Sequence, residues 1–289
     1  MDVMIRIERT LEAALALADA PRCPPKLAAA MRHAVFPRGA RIRPRLCLAV
    51  AGAIGEDAPD VADAAACAIE LLHCASLVHD DLPCFDHSDI RRGRPTVHRV
   101  FGRPLAVLAG DALIVLAFQT VAMAAASVPL RIAPLMITIG QSAGVPFGIV
   151  AGQAWECEDA IDLAQYQREK TGALFAAATV AGAAAAGVDA EPWRQLGAYL
   201  GEAFQVADDI LDVTARAEDV GKPVGQDAAH DRPNAVRELG LHGAIARLDD
   251  LADAAVGSVP NCRGMAELRR HILSETSRLL PKTIVRRAA

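Results

Sequence analysis

Residues 79–86, His-Asp-Asp-Leu-Pro-Cys-Phe-Asp, close a long apolar run with three carboxylates, Asp80, Asp81 and Asp86. The run has helical periodicity and no strand-like alternation, so it reads as a helix with acids at its C-terminal end. Leu82-Pro83 ends it, because proline lacks the amide donor and disfavours helical geometry in the residue before it. Asp86 can then fold back towards Asp80. A second acidic stretch, Gln-Val-Ala-Asp-Asp-Ile-Leu-Asp at 205–212, keeps plain helical spacing, which puts Asp208 and Asp212 on one face.

Carboxylates this close repel one another, and Leu71, Leu72, Leu77, Val78, Ile210 and Leu211 beside them add a desolvation penalty. Shared divalent cations remove both penalties. Hard oxygen donors without a Cys/His set suit magnesium, which takes one or two protein carboxylates and completes its shell with water and phosphate oxygens. Arg91-Arg92-Gly93-Arg94 follows the first cluster and Lys222 the second, so anion-binding groups stand beside cation-binding groups twice. The pattern points to a diphosphate head on a hydrophobic tail, held where two helices of a bundle face each other across a cavity.

The composition agrees with an all-α fold. Apolar residues make up 53% of the 289, much of that alanine, while aromatics are only 4%. A net charge of −5 gives none of the basic surface that nucleic acid demands. The N-terminus shows no secretory pattern. The apolar stretches near 105–128 and 173–188 contain Asp111 and Gln119 or are mainly Ala and Gly, and read as buried core helices, not membrane spans. Seven cysteines without a Cys-x-x-Cys pair indicate reduced thiols in a cytoplasm.

Periodicity and Pro/Gly punctuation predict about ten helices in a single domain over 1–289. They span 3–19, 25–34, 41–54, 58–81, 104–126, 129–142, 160–187, 191–213, 232–255 and 264–279.

These motifs resemble those of the trans-isoprenyl diphosphate synthases, or polyprenyl synthetases, in their short-chain bacterial and plant form. The resemblance rests on Arg-Gly-Ala-Arg-Ile-Arg-Pro at 38–44, the first aspartate motif with Asp-Ile-Arg-Arg-Gly-Arg-Pro-Thr at 89–96, Ala-Gly-Asp at 109–111, Ala-Gly-Gln at 151–153, Lys-Thr-Gly at 170–172 and the second aspartate motif at 204–212, in family order. It implies an isoprenoid-synthase bundle around a central apolar cavity, working as a homodimer through the helices near 104–126. The implied reaction is head-to-tail prenyl transfer from an allylic diphosphate (dimethylallyl, geranyl or farnesyl) to isopentenyl diphosphate.

By the same resemblance Asp80, Asp86, Asp208, Asp209 and Asp212 hold magnesium, three ions per site. Lys170, Thr171 and Gln205 face the developing allylic cation, and Asp81 joins them in the catalytic set. Arg91 grips the allylic diphosphate, as does Lys170, while Arg92, Arg41 and His73 hold isopentenyl diphosphate; Lys222 completes the substrate-binding residues. Guanidinium groups suit phosphate because they pair bidentately and stay charged. The released diphosphate can accept the final proton, so no side-chain base is named.

Three departures stand out. Ala40 occupies the place of a lysine that contacts isopentenyl diphosphate in the family, with Arg38 nearby as a partial replacement of its charge. Glu156 replaces a common Asp, and Arg232 replaces Lys in the segment Asp231-Arg-Pro-Asn234. Some bacterial carotenoid-branch synthases look similar at these places.

Product length depends on how far the tail runs along the helix before Asp80, where one turn advances about 5.4 Å, close to one isoprene unit. Ser76 and Ala75 form the first level and both are small. Farnesyl-producing bacterial relatives often carry an aromatic at the Ala75 position. The tail is therefore expected to reach a deeper floor of Leu71, Leu72, Leu113, Ile114 and Phe118, giving C20 geranylgeranyl diphosphate over C15. A terpene cyclase has little need for a second diphosphate site. A non-catalytic partner subunit commonly loses one aspartate motif, and this chain keeps both.

Overall fold

The computed structural model describes residues 2–36, 39–159, 165–166, 168–214 and 234–280. Among them twelve α-helices follow in order: α1 (Val3–Leu15), α2 (Pro25–Val35), α3 (Ile42–Ile54), α4 (Pro59–Asp80), α5 (Val97–Phe101), α6 (Arg103–Ala124), α7 (Ile132–Ala143), α8 (Ile149–Ala154), α9 (Ala173–Ala185), α10 (Arg194–Thr214), α11 (Ala235–Gly257) and α12 (Met265–Thr276). The all-α expectation holds. Sheet is confined to a hairpin of β1 (Ile90–Arg91) and β2 (Arg94–Pro95), with Arg91 opposite Arg94.

The bundle is built around α4 and α9, which pack on each other and share α3 as a neighbour. The heaviest contacts of α4 are with α6, and α9 lies between α3, α7 and α10. Alanine and glycine set these short distances. A Cβ on Gly182 of α9 would fall 2.4 Å from the Cys47 carbonyl oxygen on α3, and one on Gly197 of α10 the same distance from that of Phe175. Dense packing of this kind leaves no room for an added methyl group.

Local signals explain the ends. α4 starts with Pro59 in its first turn, where the missing amide is harmless, and stops at Asp80 before Leu82-Pro83. The Asn234 side chain caps α11 by accepting from the Val236 amide at 2.9 Å, and Gly240, at φ 71°, kinks that helix. The short α5 and α8 were not expected from periodicity. In place of one helix over 160–187, the described part has a π-turn at Arg168–Gly172 leading into α9.

The stretch near 105–128 departs from its reading as a buried core helix. Two helices, Pro59–Asp80 and Arg103–Ser127, are long and apolar enough to cross a membrane by length and composition; the first is 83% buried and the second only 39%. The outer face of α6 exposes Leu108, Val115 and Met123, with Ile137 of α7 also exposed. All seven cysteines are free thiols, and Cys47, Cys67 and Cys74 are buried.

Candidate active site

The first wall of the site is the end of α4. Beyond Asp80 the chain winds back: the Leu82 amide donates to the His79 carbonyl, the Asp86 amide to the Asp80 carbonyl at 3.0 Å, and the Ser88 amide to the Asp81 carbonyl. Asp86 is exposed above Asp80, as the Leu-Pro stop predicts. The β1–β2 hairpin follows, its two-residue loop Arg92-Gly93 at φ 52° and 72°, the paired positive values of a tight I′-type turn.

Arg91 reaches from this hairpin to the Asp81 carboxylate (Nε to Oδ1, 2.7 Å) and stands 3.6 Å from Asp80. Burial pushes the Asp81 carboxyl up to about 6 against the pull of Arg91. Burial also raises Asp80, opposed by Lys170 and reinforced by the repulsion of Asp86. Asp80 Oδ1 is buried with no hydrogen-bond partner, and the Lys170 ammonium lies 3.5 Å away as an ion pair.

The π-turn bridges the two walls. π-turns inside helices recur at functional sites, and this one sends successive side chains in opposite directions. Lys170 points to the first wall, its Nζ also 2.5 Å from Glu156, which accepts from the Tyr166 hydroxyl and the Gln153 amide as well. Burial would lower the Lys170 pKa, but Asp80, Tyr166 and Glu156 together outweigh it and raise it. Thr171 turns to the second wall and donates its hydroxyl to Gln205 Oε1 at 2.9 Å.

On α10, Asp208 and Asp212 are half-buried on the same face. Asp209 is different: it is buried, takes the Gln205 amide at 2.9 Å on Oδ1 and takes the Ala235 amide at 2.8 Å on Oδ2. Lys222, with Arg38 and Arg232, lies outside the described residues.

Beside the first wall is a cluster of cations. His73 sits among Arg43, Arg92, Arg91 and Arg41; burial first, then these charges, hold its pKa well below the histidine range. Arg92 packs over Gly39, where a Cβ would fall 2.6 Å from Nη1. Arg43 stacks on the Phe175 ring at 4.5 Å, and burial together with Arg92 lowers its guanidinium to about 10. Its buried Nε has no hydrogen-bond partner.

Arg41 is placed otherwise than its motif suggested. Its fully buried guanidinium spans Glu8 at 3.0 Å and Glu70 at 2.6 Å and donates to the Val35 carbonyl. Those acids outweigh the burial that would lower its pKa and raise it. The side chain thus ties α1, α2 and α4 together, and the arginine two residues on takes the position among the cations. Arg43 is the residue that sequence reading missed. The segment Arg38-Gly-Ala-Arg-Ile-Arg43 offers both arginines, and nothing local in it says which will meet Glu8 and Glu70; Arg41 does so from a left-handed backbone at φ 51°.

The donor set fits magnesium. It consists of carboxylate oxygens, one of them an orphaned buried atom on Asp80, and among the described residues no three acidic, His or Cys side chains form a ready-made metal cluster. A metal that takes only one or two protein carboxylates and fills its shell with phosphate needs no such cluster.

Two further motif glycines are contact points. A Cβ on Gly110 would strike the His79 imidazole at 2.1 Å, and one on Gly152 would strike the Lys170 amide nitrogen at 2.4 Å. Ala75 is buried among Leu71 and Leu72, and Ser76 is half-buried with its hydroxyl on the His73 carbonyl. A cleft of about 220 Å³ opens elsewhere, between α3, α9, α10 and α12, lined by Ala40, Ile42, Leu46, Phe175, Phe204 and Glu275.

A helical bundle that presents two carboxylate walls and a nest of arginines defines an isoprenoid synthase by fold and site. The polyprenyl synthetase profile matches residues 24–260, and the chain belongs to that family of prenyltransferases. It is 54% identical over 282 residues to the geranylgeranyl diphosphate synthase of Cereibacter sphaeroides, covering 98% of each chain. Its identity to that of Rhodobacter capsulatus is 52%, covering 92% of each. A farnesyl diphosphate synthase of Geobacillus stearothermophilus is 42% identical over 246 residues, covering 80% of this chain and 81% of that one. Among solved structures, an FPP/GFPP synthase from Zymomonas mobilis superposes with a TM-score of 0.78 at 30% identity, covering 95% of this chain and 98% of that one.

Proposed function

We propose that this chain condenses isopentenyl diphosphate head-to-tail with an allylic diphosphate to give geranylgeranyl diphosphate. The observation that carries the reading is the convergence of Lys170 and Arg91 on Asp80, whose buried Oδ1 lacks a hydrogen bond. Asp80, Asp86, Asp208 and Asp212 would hold magnesium, which when bound neutralises the allylic diphosphate and makes it a better leaving group.

The chain's own residues supply the rest. Lys170 and Arg91 bind the allylic diphosphate as its C–O bond breaks. Thr171 and Gln205 turn oxygens towards the positive charge left on the allylic carbon, a preorganised stabilisation that a low-dielectric site strengthens. Arg92, Arg43 and neutral His73 bind the diphosphate of isopentenyl diphosphate and orient its double bond, whose electrons form the new C–C bond. The proton lost from the adjacent carbon goes to the released diphosphate. Arg43 here replaces Arg41 in the binding set.

Ala75 and Ser76 leave the first level below Asp80 open, which favours a C20 product. The apolar outer face of α6 suits a homodimer contact, and free thiols suit a reducing cytoplasm. The test is product length after incubating purified protein with magnesium, labelled isopentenyl diphosphate and each allylic primer. C20 from the C15 primer supports the reading; C15 accumulation keeps the chemistry and moves the floor upward; no product with any primer rejects it in favour of a partner subunit.

A further inference from the structure

We infer that Asp209, the middle acid of the second motif, is a positioning residue that sets the polarity of the Thr171 hydroxyl through Gln205, and not a magnesium ligand. The inference rests on the prenyl-transfer reading above. Both side-chain oxygens of Asp209 accept, one from the Gln205 amide and the other from the Ala235 backbone amide. Asp209 Oδ1, 2.9 Å from the Gln205 side-chain nitrogen, therefore fixes which end of that amide faces it. The amide oxygen is left to face Thr171, which must donate its hydroxyl hydrogen across 2.9 Å. The lone pairs of the Thr171 oxygen then remain for the positive charge of the reaction.

The second carboxylate oxygen is anchored independently. It accepts the backbone amide of Ala235, the first residue of α11, and the Asp209 carbonyl accepts from the Asn234 side chain at 3.2 Å. Asp208 and Asp212 are half-buried on one face of α10, whereas Asp209, about 100° round the helix from Asp208, is 3% exposed and turned into the α10–α11 contact. Three acids in one motif thus do two jobs: two face the site and one orders the hydrogen bonds behind it.

In Asp209→Asn the side chain keeps one acceptor and gains a donor. Keeping the Ala235 bond forces the Gln205 amide to turn over, so that Thr171 must accept and its hydrogen points into the site. The expected result is a fall in kcat of about tenfold, the scale of one charge-assisted hydrogen bond, with half-saturating magnesium unchanged. Asp208→Asn should instead raise the magnesium requirement. In a Thr171→Val background Asp209→Asn should cost nothing further, because residues acting through one another are not additive.

Ala235→Pro provides a second route that leaves the charge in place and so decides the matter even if Asp209→Asn fails to fold. Proline is accepted at the first position of a helix, and Asn234 before it is already extended at φ −145°, ψ 128°. Loss of that one anchor should lower kcat at constant magnesium requirement. A raised magnesium requirement in either variant, or an undiminished effect of Asp209→Asn beside Thr171→Val, overturns the inference alone. An inactive wild type overturns the prenyl-transfer reading and this inference with it.

Discussion

The Asp86 amide donates to the Asp80 carbonyl at 3.0 Å, so the first aspartate motif is a closed turn on the end of a helix and not an extension of it. The geometry stacks a second carboxylate over a first that is already buried, short of donors and at the negative end of the α4 dipole. Asp80→Asn should therefore lower turnover at least about a hundredfold, the scale of losing one positioned electrostatic group. The metal-free variant should melt no lower than the wild type, since the repulsion with Asp86 is relieved. Steady-state kinetics with paired melting curves checks both; a destabilised variant would mean that Asp80 supports the fold.

Arg41 and Arg43 should separate cleanly. Arg41→Met leaves Glu8 and Glu70 facing each other without their shared cation, and breaking a buried pair of this type destabilises by about 3–5 kcal/mol. Arg43→Met should fold nearly as well and raise KM for isopentenyl diphosphate. Denaturant unfolding and KM measured on both variants test the exchange of roles.

His73 predicts a pH slope. Its folded pKa lies below the unfolded value of about 6.5, so below that pH the unfolded chain binds more protons and stability falls as pH falls. His73→Gln removes this contribution. Melting of the metal-free protein followed from about pH 7.5 downward through 6.5 should drop less steeply in the variant than in the wild type. Equal slopes would contradict a neutral His73 among arginines.

Ala75→Tyr should shorten the main product to C15 if the tail runs along α4 as proposed, because a ring at a buried position one turn or so before Asp80 would then block its path. Chromatography of the products from labelled isopentenyl diphosphate decides it. Unchanged C20 from a folded variant would put the floor on another helix.

Much of the fold was legible because helix ends are written locally: Pro59 opens α4, Leu82-Pro83 closes it, and the fold-back of Asp86 follows. What could not be read depends on distant partners. Arg41 meets Glu8 and Glu70 at separations of 33 and 29 residues, and nothing in Arg-Ile-Arg says which guanidinium will find them. Asp208 and Asp209 look equivalent in sequence, yet their helix faces assign them to different surroundings. α6 was misread for another reason. A helix whose polar residues are as sparse as Asp111 and Gln119, with apolar residues on every side, has too weak a pattern to declare which face is covered.

His79, the neighbour of Asp80, lies with its imidazole against Gly110 and 3.2 Å from the Val107 carbonyl, both on α6. The same helix turns Leu108 and Val115 outward. α6 is thus a partition one helix thick, about 10 Å, between the carboxylates and whatever touches its outer side. Pressure on Leu108 or Val115 reaches the carboxylate end of α4 without crossing any other element, so outward substitutions on this helix would act on the proposed magnesium-binding acids while touching none of them.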